Sequence, residues 1–190
     1  MTERRPAVFL DRDGTLVRDT GYLGDPADVA LLPTAAEAVA RLNAAGLRAI
    51  VVTNQSGIAR GFFTADDYER VRERLDALLE AQDAHLDDSF HCPHHPDVTG
   101  PCECRKPGTL LYRQAASRYG IDLARSAYIG DRWRDVAPAL EFGGRGVLVP
   151  SDVTPPNELA QAREEAEVAG SVLEAVDRFL RAQLRGEGEA

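Results

Sequence analysis

The sequence lacks a long apolar run. No apolar stretch approaches the ~20 residues that a membrane-spanning helix needs, and the opening MTERRPAVFLDRDG holds only a short apolar segment interrupted by charge. We therefore expect no signal peptide and no membrane partner. These features predict a cytoplasmic protein.

Positive charge and cysteine are also scarce. The 31 acidic residues outnumber the 22 basic residues, which gives a net charge of −9 at pH 7. Because basic and aromatic residues are not interleaved either, we disfavour a zinc-dependent nucleic-acid binder and expect no nucleic-acid partner. The three cysteines are an odd number and stand close together, which favours metal binding in a reducing compartment over a disulfide framework.

Internal repeats and low-complexity segments are absent as well. The 190 residues suffice for one full hydrophobic core but are short for two. We predict a single domain over residues 1–190, present as a monomer. The final RGEGEA is interpreted as a frayed acidic tail.

What the sequence does contain is a regular alternation of apolar runs and amphipathic stretches. Strands are predicted at 7–11, 48–54, 87–92, 126–131 and 146–150. Helices are predicted at 34–45, 64–83, 107–119, 132–142 and 171–184. This order is typical of βαβ units and predicts an α/β fold: a doubly wound, mainly parallel, Rossmann-like sheet with helices on both faces.

Two segments lie outside that alternation. Residues 13–33 lack helical periodicity and are predicted to form a flap or hairpin across the carboxyl end of the first strand, where open parallel sheets bind ligands. The segment SDVTPPNELA, residues 151–160, is predicted to be a loop. No large cap domain is evident between the motifs described next.

Polar groups follow four of the predicted strands: Asp11 and Asp13, Thr53 and Asn54, Lys106, and Asp131. Any one of them alone is typical of capping or turn chemistry. Because the carboxyl ends of parallel strands meet at one edge of the sheet, we expect the four groups to lie together. Carboxylates, a hydroxyl and a cation in one place are what phosphoryl transfer with Mg²⁺ requires.

The motifs DRDGTL, VVTNQSG, CRKP and IGDRWRD resemble, in order, those of the haloacid-dehalogenase-like phosphohydrolases. The resemblance implies that Asp11 is a nucleophile that forms an aspartyl-phosphate. It also implies that Asp13 protonates the leaving alkoxide and then activates water. Mg²⁺ would be held by the Asp11 carboxylate, the Asp13 backbone carbonyl and Asp131, with Thr53 and Lys106 on the phosphoryl oxygens.

A second constellation occupies the loop at residues 91–106, which contains all three cysteines and three of the four histidines. Three thiolates and one imidazole give a complete tetrahedral set for Zn²⁺: Cys92, His94, Cys102 and Cys104. His91 and His95 are alternatives to His94, and reduced buried cysteines are the alternative to a metal site. Four protein ligands leave no open position, so this zinc is expected to be structural.

The zinc loop ends directly at two cations. Because Cys104 precedes Arg105 and Lys106, a fixed metal would fix where both of them lie. The side chain of Arg105 is expected to diverge from Lys106 and to offer a fork for a distal phosphate or a sugar hydroxyl. Trp133 and Arg134 are interpreted as helix-surface or packing residues.

A zinc loop before CRKP also resembles one subgroup of the family, which contains heptose bisphosphate phosphatases and histidinol-phosphatases. The segments DTGYLGDP, TNQSGIARGFFT and CPHHP resemble the heptose enzymes more closely. That resemblance implies a phosphorylated sugar, D-glycero-D-manno-heptose 1,7-bisphosphate, as substrate. It also implies a pocket lined by Asp19, Thr20, Gly21, Tyr22, Asn54, Gln55, Ser56, Arg105 and Arg132.

Two departures leave alternatives open. The spacing between His94 and Cys102 is shorter than is usual in the heptose enzymes, and Arg132 stands where lysine is common. Histidinol phosphate or another small sugar phosphate therefore remains an alternative substrate. Outside enzymes, a phosphate-sensing phospho-acceptor module is the alternative, although a base such as Asp13 suits hydrolysis. Asp135 is expected to support the Mg²⁺ site or Lys106 indirectly.

Overall fold

A computed structural model describes residues 4–186 of the chain. Within that range six strands form one sheet, in the spatial order β3-β2-β1-β4-β5-β6, and every pairing is parallel. The strands are β1 (Ala7–Leu10), β2 (Arg48–Asn54), β3 (Asp88–Cys92), β4 (Ala127–Gly130), β5 (Arg145–Leu148) and β6 (Glu167–Val168). The predicted doubly wound parallel fold is confirmed.

The helices connect these strands and cover both faces of the sheet. They are α1 (Ala35–Ala44), α2 (Ala65–Glu80), α3 (Pro96–Thr99), α4 (Leu110–Tyr119), α5 (Trp133–Val136), α6 (Pro138–Phe142), α7 (Pro156–Glu165) and α8 (Val172–Gly186). α2 follows Thr64, the first residue of the predicted helix 64–83, whose hydroxyl caps the helix by accepting a hydrogen bond from the Asp67 backbone N–H at 3.1 Å. No inserted cap domain separates the strands within residues 4–186.

Strand alternation divides the core into two layers. Val8 and Leu10 of β1 pack on one face with apolar residues of α1, α2 and α8. Ala7 and Phe9 point to the other face, where Phe9 packs against Tyr112 of α4 at a ring separation of 5.1 Å. Buried on both faces, β1 forms the rigid centre of the sheet, and Asp11 follows directly at its carboxyl end.

The segment 13–33 is packed rather than loose. Val17 pairs antiparallel with Leu31, a short 3₁₀ turn covers Pro26–Asp28, and Leu16, Val17 and Leu23 are buried. The predicted crossing hairpin is therefore anchored to the core. Its tip, residues 19–22, is exposed at Thr20, Gly21 and Tyr22 and lies near Asp11 at the carboxyl end of β1.

Two predictions of local structure were wrong, and one short strand was missed. The predicted loop 151–160 contains the start of α7, because Pro155 and Pro156 precede and open a helix rather than breaking one. The two-residue strand β6 was missed. The predicted helix 132–142 is two helices, α5 and α6, which join at Ala137 before Pro138. The last four residues of the predicted acidic tail lie outside the described residues.

No helix among residues 4–186 is both long enough and apolar enough to span a bilayer.

Candidate active site and cysteine cluster

A buried ion-pair network lies at the carboxyl end of β1. Lys106 donates a hydrogen bond to the Asp11 carboxylate at 2.7 Å and to the Val52 carbonyl at 2.6 Å. Its ammonium is also 2.7 Å from Asp135, and all three ionisable side chains are at most 5% exposed. Lys106 is the only lysine in the sequence. The carboxyl end of the central strands thus holds one cation between two carboxylates.

The charges in this network stabilise one another against the cost of burial. Burial opposes the charged form of Lys106, but the Asp11 and Asp135 carboxylates prevail and raise its pKa. Burial raises the pKa of Asp135, and the nearby Asp11 carboxylate adds to that shift. Lys106 stays protonated, so the carboxylates keep one permanent counter-charge.

Asp131 completes a group of three acidic side chains. A carboxylate oxygen from each of Asp11, Asp131 and Asp135 lies within 4.8 Å of the others. Burial, with the Asp11 carboxylate close by, raises the pKa of Asp131 to about 7. Three buried carboxylates share a single lysine, and this excess of negative charge fits a divalent cation bound by oxygen ligands. The donor set is therefore suited to Mg²⁺.

Gly14 allows the turn after β1 to approach Asp131. Its φ is +81°, and a Cβ atom there would stand 2.3 Å from an Asp131 carboxylate oxygen. Ser151 fixes the same carboxylate from the other side by donating a hydrogen bond at 2.6 Å. The acidic cluster is consequently held by two loops as well as by β1 and β4.

Asp13 lies apart from the Lys106 network and has its own partners. Arg12 forms two hydrogen bonds to its carboxylate, at 3.0 and 2.9 Å, and Gln55 donates a third at 2.8 Å. The same Gln55 amide donates to the Thr53 hydroxyl at 2.8 Å. Arg12 is 2% exposed. One buried arginine and one glutamine therefore position both Asp13 and Thr53.

Asn54 attaches the zinc-loop end to the sheet. Its side-chain amide donates to the Lys106 carbonyl at 3.2 Å and accepts from the Lys106 backbone N–H at 2.9 Å. These two bonds imitate the pairing of an additional strand residue. The position of Lys106 is thus set by β2 and not only by its own loop.

The four predicted zinc ligands come together in one cluster. The Cys92 and Cys102 sulfurs are 3.7 Å apart, Cys102 and Cys104 are 3.5 Å apart, and His94 Nδ1 is 3.3 Å from Cys104. These separations are near the ~3.8 Å edge of a tetrahedron with Zn–S bonds of ~2.3 Å. Cys92 and Cys104, at 2.9 Å, are too far apart for a disulfide.

The three thiols of the cluster differ in environment. Burial raises the pKa values of the Cys92 and Cys104 thiols, which opposes their thiolate forms in the absence of a cation. Desolvation by burial acts to raise the pKa of Cys102. Hydrogen bonds from the Arg105 backbone N–H and from neighbouring side chains outweigh it and lower this pKa to about 7. A bound cation would favour the thiolate form of all three cysteines. The residues present therefore fit a Zn²⁺ ion.

The other two histidines of the loop do not join the cluster. The His91 ring packs on Tyr68 with 3.9 Å between ring centroids. His95 Nδ1 accepts a hydrogen bond from the Asp97 backbone N–H at 3.2 Å, and its Nε2 lies 2.6 Å from an Arg60 nitrogen. Of the three candidates for the imidazole ligand, the structure places His94 in contact with the sulfurs.

A cleft of about 250 Å³ opens over Asp11. Nine residues that were predicted to belong to the catalytic or substrate site line this cleft: Asp11, Asp13, Asp19, Gly21, Tyr22, Thr53, Asn54, Ser56 and Arg105. Three residues that were not predicted for that site also line it: Arg60, His95 and Arg134. Larger cavities, of about 520 and 660 Å³, lie beside Arg5 and Leu47 at the opposite edge of the sheet, away from the carboxylates. The chemistry therefore points to the smaller cleft.

Three predicted substrate residues are not in the cleft lining. Thr20 is exposed beside it, and Gln55 is buried beneath it. Arg132 directs its guanidinium to Glu158, with hydrogen bonds of 3.0 and 2.7 Å. Arg134 lies on the surface of α5 with its side chain 38% exposed, as predicted, and it also lines the cleft, which was not predicted. Trp133 packs against the cluster of Val136, Leu148 and Ala162.

The sequence analysis understated the part of Asp135 in the active site and missed that of Arg12. Asp135 contacts Lys106 directly rather than indirectly. Its position was a usable signal, since it is a second acidic residue in the segment IGDRWRD, four residues after Asp131 and close to the end of β4. Arg12 had no such signal, because an arginine between two strand-end aspartates ordinarily points to solvent.

Comparisons with known proteins agree with this geometry. A family model described as HAD-hydrolase-like matches residues 103–175. A D-glycero-beta-D-manno-heptose-1,7-bisphosphate 7-phosphatase of Photorhabdus laumondii is 40% identical over 155 residues, 78% of this chain and 82% of that protein. A protein of the same name from Mesorhizobium japonicum is 37% identical over 184 residues, 93% and 84% of the two chains.

The fold comparison agrees as well. The crystal structure of a D,D-heptose 1,7-bisphosphate phosphatase from B. bronchiseptica, complexed with magnesium and phosphate, has a TM-score of 0.82 and 32% identity. The match covers 93% of this chain and 99% of that one. The chain therefore belongs to the haloacid-dehalogenase-like hydrolases. Within that family it is a phosphatase.

Proposed function

We propose that the protein is a Mg²⁺-dependent phosphomonoester hydrolase that acts through a covalent aspartyl-phosphate on Asp11. The observation that carries the proposal is the Asp11 carboxylate at the end of β1, held 2.7 Å from buried Lys106 and within 4.8 Å of two further acids. We also propose that it works as a cytoplasmic monomer.

In the first step, a carboxylate oxygen of Asp11 attacks phosphorus and the bond between phosphorus and the leaving alkoxide oxygen breaks. Asp13 gives its proton to that alkoxide, which departs as an alcohol. Lys106 and the Thr53 hydroxyl donate hydrogen bonds to the phosphoryl oxygens, where negative charge is concentrated. The products of this step are the free sugar alcohol and phosphorylated Asp11.

In the second step, Asp13 takes a proton from a water molecule, whose oxygen attacks phosphorus. The bond between phosphorus and the Asp11 oxygen breaks, which releases inorganic phosphate and restores the carboxylate. Asp13 regains the proton that it needs for the next turnover. Its three hydrogen bonds, from Arg12 and Gln55, support an acid and base that must keep one orientation.

Two metals have separate parts in this proposal. Asp11, Asp131 and the Asp13 carbonyl would hold Mg²⁺, which when bound neutralises charge on the phosphate dianion and on Asp11. Asp135 lies in the same acidic group. Cys92, His94, Cys102 and Cys104 would hold a structural Zn²⁺ that orders the loop before Lys106.

The proposed substrate is D-glycero-D-manno-heptose 1,7-bisphosphate, from which the 7-phosphate is removed while the anomeric phosphate remains. The names of relatives at 37–40% identity support this choice. So does the presence of Arg60, Arg105 and Arg134 around the cleft, because a bisphosphate carries a second anion. Histidinol phosphate, whose amine and imidazole carry positive charge, suits these cations less well.

Phosphate release from a generic phosphomonoester with added Mg²⁺ tests the enzyme class. Asp11→Asn should abolish turnover, and Asp13→Asn should slow it by roughly 10²–10⁴, the range for a lost general acid or base. Ordinary turnover in Asp11→Asn would exclude the covalent route. Stable phosphorylation without phosphate release would instead indicate a phospho-acceptor module.

The substrate is tested by kcat/KM for the heptose bisphosphate, fructose 1,6-bisphosphate and histidinol phosphate. NMR of the product identifies the phosphate that remains. We expect the heptose bisphosphate to be preferred and to retain its anomeric phosphate. A tenfold preference for histidinol phosphate, or loss of the anomeric phosphate first, would contradict the assignment while leaving the phosphatase class intact.

A further inference from the structure

Two arginines follow Asp131, and they have opposite environments. Arg132 forms a two-point ion pair with Glu158, which also accepts a hydrogen bond from the Trp133 backbone N–H at 2.7 Å. Its charge is thereby neutralised by α7. The position that by resemblance would contact substrate is instead used to attach α7 to the end of β4.

Arg134 lies on the cleft and has weak protein contacts. Its one ion pair among the described residues is long, 3.9 Å from Nε to Asp135, and that Asp135 oxygen is already 2.7 Å from Lys106. The Nε atom is buried and has no hydrogen-bond partner in the described part of the chain. A buried guanidinium donor without an acceptor is costly unless a ligand supplies one.

The other two arginines of the cleft are attached to the loop of the cysteine cluster. Arg60 lies 2.6 Å from His95 Nε2, and Arg105 donates to the His94 carbonyl at 3.3 Å. Arg134 approaches from α5, beside the acidic group. Its side chain is 38% exposed, so it extends from the buried carboxylates towards the open part of the cleft.

We propose that Arg134 is the specificity-determining residue that binds the second phosphate of the substrate, in place of Arg105, for which the sequence predicted that fork, and of Arg132. This inference rests on the proposed phosphatase function. In the proposed reaction the transferred phosphoryl group would lie beside buried Lys106 and Thr53. The Arg134 side chain, 38% exposed, lines the cleft that the remainder of the substrate would fill. A planar fork with free donors matches the geometry of a phosphate.

The test compares two substrates that differ only in the distal phosphate: heptose 1,7-bisphosphate and heptose 7-phosphate. Arg134→Gln should raise KM for the bisphosphate by about ten- to a hundredfold, the loss expected for one charged hydrogen-bonding partner, with kcat little changed. The monophosphate should change less than threefold. Arg134→Lys should recover part of the bisphosphate affinity, because it restores the charge without the fork.

Arg113→Gln provides the matched control. Arg113 is an exposed arginine that pairs with Glu141 at 2.7 Å, remote from the cleft, and its loss should leave the ratio between the two substrates unchanged. Thermal melting and Mg²⁺ titration of each variant show whether the fold and the acidic group remain intact.

Specific outcomes would overturn the inference. An equal loss on both substrates in Arg134→Gln would place Arg134 on the transferred phosphate. A loss of bisphosphate preference in Arg132→Gln but not in Arg134→Gln would return the role to Arg132. A wild-type protein that releases no phosphate from either substrate would refute the proposed function itself, which is a distinguishable result.

Discussion

At the scale of the residue, Gln55 connects groups that are assigned different tasks. Its amide nitrogen donates to both Asp13 and Thr53 at 2.8 Å, while its carbonyl accepts from Arg12 at 3.0 Å. Gln55 is buried and does not line the cleft. We propose that Gln55 is a positioning residue, in place of the substrate contact that the sequence predicted.

Gln55→Ala should therefore lower kcat by about ten- to a hundredfold with a smaller change in KM, because Asp13 loses one of the donors that orient it. Gln55→Glu should be worse, since a carboxylate would oppose Asp13. Single-turnover phosphate release measures the chemical step. Gln161→Ala, at a half-buried glutamine of α7 that bonds Glu165, is the control. A pure KM effect in Gln55→Ala would instead indicate direct substrate contact.

The same residues show what sequence reasoning can and cannot reach. Asp11, Thr53, Lys106 and Asp131 were predicted to meet because parallel strands present their carboxyl ends at one edge, and the structure brings them there. The directions of Arg132 and Arg134 were not accessible. They depend on the turn that opens α5 and on Glu158, 26 residues away in sequence from Arg132.

At the scale of the element, the loop at residues 91–106 has little apolar content to hold it, and the cysteine cluster supplies the constraint. We expect one zinc per chain by elemental analysis. Cys102→Ser should lose that zinc, lower Tm by roughly 5–15 °C and raise KM, because Arg105 is no longer held.

His85→Asn is the control for that experiment. It removes the one histidine that lies outside the loop. Among the described residues, the backbone N–H and carbonyl of His85 form hydrogen bonds with the Asn43 side chain. Its zinc content should equal that of the wild type. A folded and fully active protein that contains no zinc would refute a structural role for the metal.

The helix α7 was missed because its opening prolines were interpreted as a loop, yet it is anchored firmly. Hydrogen bonds from Arg132 lower the pKa of Glu158 from its usual 4.5. The ionised Glu158 carboxylate therefore stabilises the folded state fully above pH 4.5. This contribution to the free energy of unfolding is lost as the pH falls through the lowered pKa of Glu158. Both strand β6 and helix α7 depend on contacts that their own short sequences do not reveal.

Glu158→Gln should reduce the free energy of unfolding by about 1 kcal/mol at pH 7. Denaturant unfolding at a series of pH values should show the wild-type and variant curves converging on acidification. Glu165→Gln, a change at the far end of the same helix, should lie close to the wild type throughout. A Glu158→Gln deficit that is constant with pH would show that the ionised carboxylate contributes little.

At the scale of the whole molecule, the sheet joins distant parts of the chain. β1 pairs with both β2 and β4, so Val8 lies opposite Ala49 and Ala127. An element held on both sides by remote segments cannot unfold alone without exposing its partners. We propose that residues 1–190 form the single domain that the length of the chain predicts.

Unfolding should accordingly be one cooperative transition. Trp133 is the only tryptophan and packs beside Leu148, so its fluorescence reports the β4–β5 side, whereas far-UV circular dichroism reports every helix. The two midpoints should coincide in the metal-loaded protein. Separate midpoints would show that the β2–β3 side and the β4–β5 side unfold independently.

Lys106 can serve as a natural chemical probe of how often the active site opens. Since Lys106 is the only lysine and its side chain is 1% exposed, an amine-directed acylating reagent has a single side-chain target, which the native fold conceals. Mass spectrometry of the peptide that contains Lys106, which separates this label from acylation of the chain's α-amine, would then measure opening of this pocket over minutes or hours. Substrate or magnesium that closes the pocket would appear directly as slower labelling, without any engineered probe.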